Sequence, residues 1–219
     1  MSASHPRAHD MPRGDALLPA WVKQTGRAVL DPIVRLALAL HVTANTVTVL
    51  GLVITVVAAI LIGSGDLLAG ALILMGGSLL DAVDGALARA TGGGTPFGGF
   101  LDSTIDRASE AIVYAGIAVY YLQQAASPTW PVLAAFIALT GSFLVSYSRA
   151  RAEGIGVSAA VGIAPRTERL VLIIAGLGLA GLGIGPALIA VLWIIAALTV
   201  ATTAQRIWHV WRLTASTRG

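Results

Sequence analysis

Apolar residues fill most of this chain in blocks of about 20, the length a helix needs to cross the roughly 30 Å hydrocarbon core of a bilayer. Six blocks stand out, at residues 45–63, 67–90, 98–123, 131–152, 167–182 and 186–211; the fifth is the shortest. Ahead of them, residues 17–42 carry Lys23, Arg27, Asp31 and Arg35 at every fourth position, with apolar residues between. That spacing predicts an amphipathic helix lying in the membrane interface, bent near Pro32. Residues 1–16 are polar, lack the apolar run of a secretory signal, and are expected to form a mobile tail. Residues 214–219 form a second tail. The expected fold is all-α: a polytopic membrane protein with six transmembrane helices at 43–213 and an N-terminal interfacial helix at 17–42.

Composition agrees with this reading. Hydrophobic residues make up 56% of the chain and charged residues 11%, where a soluble domain carries about a quarter. The mean hydropathy is +0.82. There are no cysteines, which excludes disulfides and thiolate metal sites. The 14 basic residues are unevenly placed. The connections at 63–66, 123–130 and 181–186 contain no Lys or Arg, and all basic residues fall on the other side of a six-span topology. The positive-inside rule then places both termini in the cytoplasm and the protein in the cell membrane. Trp21, Trp130, Trp208 and Trp211 lie near block ends, where interfacial aromatics belong. His41 and His209 read as interfacial, and Arg7, Arg13, Arg212 and Arg218 as cytoplasmic flanks.

One feature conflicts with a passive membrane role. Asp81 and Asp84 are three apart in the second block, and Asp102 and Asp106 four apart in the third. Each pair shares a helix face. The short connection between the blocks makes the helices antiparallel neighbours, so the four carboxylates can meet near one end. Unpaired carboxylates that close repel one another. A divalent cation removes the conflict, and hard oxygen ligands suit magnesium, manganese or calcium. Two ions bridged by shared carboxylates suit phosphoryl chemistry. Gly85 and Gly98 lie one turn from the aspartates and leave room for a ligand. Arg89 stands at the mouth as a bidentate phosphate partner.

The stretch DAVDGALARATGGGTPFGGFLDSTID, residues 81–106, resembles the signature of the CDP-alcohol phosphotransferases, D-x2-D-G-x2-A-R-x8-G-x3-D-x3-D. Every fixed position is filled, and six spans after an amphipathic helix also suit the family. The resemblance implies that Asp81, Asp84, Asp102 and Asp106 bind magnesium or manganese, as two ions, and that Asp106 is also the general base. It implies that Gly85, Ala88 and Gly98 make room for the cytidine diphosphate and that Arg89 contacts its phosphates. TANTVT resembles the family's entry to the first span, which implies that Asn45 and Thr48 touch the same phosphates. The implied substrate is CDP-diacylglycerol, the implied assembly a homodimer, and no nucleic-acid partner is expected.

The segments SYSRARAEG, PRTERL and QRIWHVW resemble the matching segments of actinobacterial phosphatidylinositol-phosphate synthases within that family. The resemblance makes Arg149, Arg151, Arg169 and Arg206 the holders of an acceptor phosphate, with inositol 1-phosphate as the acceptor and Glu153 and Glu168 orienting the arginines. A glycerol 3-phosphate acceptor, giving phosphatidylglycerol phosphate, is the close variant. A cation transporter is the reading from another class; acidic residues confined to one helix pair near one membrane face disfavour it. Glu110, one turn past Asp106, is either a support for the site or simply pore-facing.

Overall fold

The computed structural model describes residues 31–124 and 126–215. The predicted tail at 1–16, residues 17–30 of the predicted interfacial helix and residues 216–219 lie outside the described residues, and with them Arg7, Arg13, Trp21, Lys23, Arg27 and Arg218. All regular structure among the described residues is helical. Helix α1 covers residues 31–39. It is followed by α2 (Ala44–Ser64), α3 (Leu67–Ala90), α4 (Pro96–Gln124), α5 (Thr129–Glu153), α6 (Arg166–Gly181) and α7 (Ala187–Ala215).

Local chemistry sets several boundaries. Thr43 caps α2 by accepting a hydrogen bond from the Thr46 amide at 3.2 Å. Gly65, at φ 100°, ends the same helix. Its amide returns to the Ile62 carbonyl and that of Asp66 to Leu61, so α3 begins almost at once, antiparallel to α2. Pro96 opens α4, and the preceding Thr95 accepts the Gly98 amide at 3.0 Å.

The six long helices close into a ring. Each packs mainly on two others, in the order α2, α3, α6, α7, α5, α4 and back to α2. Chain order and spatial order therefore diverge after α3: α3 and α4, expected to pack as antiparallel neighbours, each pack mainly on α2, which lies between them. At one end the ring is filled by a single apolar core that includes Ile62, Leu74, Tyr114, Ile117, Ala138, Leu177, Leu192 and Ile195. A smaller cluster of Val34, Val47, Val83 and Leu87 seats α1 against α2 and α3 at the opposite end. The outer wall is apolar as well: Val53, Ile60, Leu72, Phe136 and Val200 are all exposed. An apolar wall of this kind faces lipid.

Helices α2, α3, α5 and α7 are long and apolar enough to cross a membrane. The other two predicted spans exist as helices but do not meet that measure, for different reasons. Asp102, Asp106, Arg107 and Glu110 dilute the hydropathy of α4. Helix α6 has 16 residues, a rise of about 24 Å, short of a full bilayer core. Glycines in α6 permit close packing at Gly176, against Val191, and Gly181, against the Leu68 backbone, whereas Gly178 has open space.

Candidate active site

The signature residues gather at the end of the ring away from the apolar core, on α2, α3 and α4. Thr48 and Asp84 are both buried, and Thr48 Oγ1 donates to Asp84 Oδ2 at 2.8 Å. Thr48 therefore supports one of the four carboxylates. Asn45, one turn earlier on α2, faces Gly98 across the gap to α4: a Cβ on Gly98 would lie 3.1 Å from Asn45 Oδ1. A side chain at residue 98 would crowd the approach to α2. The space beside Gly85 is taken by the Arg89 guanidinium, whose Nη1 would lie 3.4 Å from a Cβ there. Arg89 itself is exposed at the mouth, and Ala88 is half-buried beside it.

The four aspartates lie within electrostatic reach of one another. Asp84 feels both Asp102 and Asp81, and Asp106 feels the same two. The cation that balances them comes from α6. Arg166 Nη1 stands 3.0 Å from Asp81 Oδ2 and 2.8 Å from Asp106 Oδ1, joining the two acidic helices through a single nitrogen. Arg107 adds a longer contact to Asp106 at 3.4 Å. Among the described residues no three acidic or histidine side chains stand in metal-coordinating geometry. The donor set nonetheless fits a hard divalent ion: four carboxylates on facing helices, two of them already sharing one positive charge.

The predicted acceptor arginines fall into two groups. Arg169 is fully buried and occupied: Nε and Nη2 reach Glu110 Oε1 at 2.9 and 2.7 Å, and Nη1 donates to the Ala164 carbonyl at 2.9 Å. Arg206 is buried too, donating to the Val161 carbonyl at 2.8 Å and to the Val145 carbonyl. Arg149 is exposed and pairs with Glu153 at 2.8 Å, and Arg151 is exposed. Arg149 and Arg169 lie within electrostatic reach of Arg206, so the basic group does assemble around the α5–α6 connection. The pairing differs in detail from expectation: Glu153 orients Arg149, Glu110 orients Arg169, and Glu168 is exposed at the start of α6. Arg166 is the site residue that sequence reasoning missed. It reads as a cytoplasmic flank until α6 is placed in the ring. Its one available signal is spacing: Arg166 and Arg169 are a turn apart, as are Asp106 and Glu110.

A helical membrane protein with facing DxxD and DxxxD pairs, ringed by arginines at one membrane face, belongs to the enzymes that handle phosphorylated lipids. The family can be stated: the model of the CDP-alcohol phosphatidyltransferases matches residues 41–213, and the chain belongs to that family. It is 40% identical over 188 residues to archaetidylinositol phosphate synthase of Methanothermobacter thermautotrophicus, covering 85% of this chain and 90% of that protein. It is 34% identical over 186 residues to phosphatidylinositol phosphate synthase of Corynebacterium glutamicum, covering 84% and 85%. Among solved structures, Mycobacterium tuberculosis phosphatidylinositol phosphate synthase with CDP-DAG bound superposes with a TM-score of 0.79 at 36% identity, over 84% of this chain and 94% of that one. The same enzyme in complex with manganese and citrate gives 0.78, over 83% and 88%.

Proposed function

We propose that this enzyme transfers the phosphatidyl group of CDP-diacylglycerol to a hydroxyl of inositol 1-phosphate, forming phosphatidylinositol phosphate and CMP. The observation that carries the reading is the grouping of the four aspartates, two of them paired with Arg166, beside further arginines of the α5–α6 connection: an acidic half for metal and diphosphate, a basic half for a second phosphate. In the reaction the acceptor oxygen bonds to the β-phosphorus and the β-phosphorus–oxygen bond to CMP breaks. The hydroxyl proton passes to the Asp106 carboxylate. Asp81, Asp84, Asp102 and Asp106 would hold the divalent metal, which would supply charge neutralisation for the diphosphate and the leaving CMP. The manganese complex of the mycobacterial enzyme supports that dependence, with two ions as the arrangement four carboxylates suit best. A metal held by Asp81 and Asp106 would compete with Arg166 for them, which would leave the guanidinium available to the acceptor phosphate. Arg149 and Arg151 extend that basic surface. Arg169 and Arg206 contribute charge while holding the α5–α6 connection in place. Asn45, Thr48, Gly85, Ala88, Arg89 and Gly98 frame the CDP moiety.

The relatives favour inositol phosphate over glycerol 3-phosphate as acceptor: the archaeal and bacterial ones differ in lipid yet share that head group in their names. Family membership sets the transporter reading aside. In the membrane, all six long helices cross. Helices α4 and α6 do so within the wall of the ring, their charged ends with the active site at the cytoplasmic face, and the protein acts as a homodimer. Metal dependence is the direct test. Chelation should abolish CMP release and magnesium or manganese should restore it; full activity in excess chelator contradicts the reading.

A further inference from the structure

Helices α4 and α6 are not direct neighbours in the ring, yet two ion pairs join them. The upper rung is Asp106–Arg166 at 2.8 Å, with side chains 15% and 29% exposed. The lower rung, one turn deeper, is Glu110–Arg169 at 2.7 Å, with side chains 10% and 1% exposed. The lower rung is the more deeply buried of the two. A partly exposed pair can exchange with water and ligands, whereas breaking a buried pair strands an uncompensated charge. The lower rung is therefore the fixed one.

Its grip reaches the backbone just before α6. Arg169 Nη1 donates to the Ala164 carbonyl at 2.9 Å, and the Ala164 amide donates to Thr202 Oγ1 on α7 at 3.2 Å. Ala164 lies two residues ahead of Arg166 and is held on both sides. Glu110 also borders a cavity of about 30 Å³ shared with Ser78, Asp81, Ser109 and Arg166, room for a water but not for an acceptor ring. Its carboxylate carries the wrong charge to bind a phosphate.

We propose that Glu110 is a positioning residue for the acceptor side of the site: acting through Arg169, it fixes the lead-in to α6 and so sets where Arg166 stands against Asp81 and Asp106. The proposal deepens the functional reading above and rests on it for the identity of the acceptor. Small misplacements of a positioning group are costly in such sites.

Glu110→Gln keeps the side chain's shape and removes its charge. Its acceptor KM should rise about tenfold or more, as for loss of a charge-assisted hydrogen bond. The KM for the CDP-lipid should stay within about twofold, the pattern of a one-sided binding loss. Arg169→Gln should do the same, and the double variant should be no worse than the worse single one, because the two act as a unit. Amide hydrogen exchange gives a readout independent of turnover. Segment 157–169 should exchange faster in Glu110→Gln, with the apolar halves of α5 and α7 unchanged. Equal rises in both KM values, additive effects of the two substitutions, or unaltered exchange in 157–169 overturn the proposal. If the unmodified enzyme rejects every phosphorylated acceptor, the functional reading fails and the exchange pattern alone decides this one. Where Glu110→Gln does not fold, Glu110→Asp keeps the charge but shortens the rung. The same faster exchange is then expected, and wild-type exchange overturns the proposal.

Discussion

Arg166 is the residue on which the acidic and basic halves of the site meet, and it separates two kinds of defect. Arg166→Ala removes the proposed charge-assisted grip on the acceptor phosphate, so the acceptor KM should rise about ten- to hundredfold, with the CDP-lipid KM little changed. Asp106→Asn removes the proposed base while keeping its size. Turnover should fall at least about 100-fold, the low end for a general base, with CDP-lipid binding retained. Near-normal turnover in Asp106→Asn places the base elsewhere. The aspartates were legible because charged residues deep in apolar blocks have few structural explanations. Arg166 was not, because arginines at cytoplasmic helix ends are common and only the rotation of α6 in the ring turns this one inward. The same ambiguity explains Arg169 and Arg206. Their charge was visible in the sequence; their engagement with Glu110 and with the Val161 and Val145 carbonyls was not.

At the scale of the helices, periodicity and turn residues located every long element, with ends displaced by at most four residues and α3 matched at both ends. The ring order was beyond reach, since apolar helices in lipid lack a polar face to mark their neighbours. Close approach is decided instead by small residues, and Gly116 shows how. A Cβ there would lie 2.6 Å from the Ala59 carbonyl oxygen, against backbone that cannot swing away. Gly116→Ala should force α2 and α4 apart, the two helices that carry Thr48 and Asp106. A loss of about 1–3 kcal/mol is expected, the usual cost of overpacking, read as a lower melting temperature in detergent. Unchanged melting would mean the α2–α4 contact is looser than described.

For the whole molecule, the uneven charge of the connections predicts an orientation. The chain has no cysteines, so single ones report sidedness cleanly. Cysteine at Ser64, Ser127 or Gly183 should react with a membrane-impermeant thiol reagent in intact cells, and cysteine at Gly93 or Gly156 only after permeabilisation. The reverse pattern inverts the topology and moves the active site outside. The central claim joins both halves of one site: metal-held CDP-lipid on the aspartates, and a phosphorylated polyol on the arginines. Its most direct measurement is CMP release from CDP-diacylglycerol by the purified enzyme with magnesium or manganese, offering inositol 1-phosphate, free inositol, glycerol 3-phosphate and serine at equal concentration. Inositol 1-phosphate should be consumed far ahead of the rest. Preference for glycerol 3-phosphate would preserve the phosphate-binding half and remove inositol, whereas preference for free inositol or serine would contradict the account.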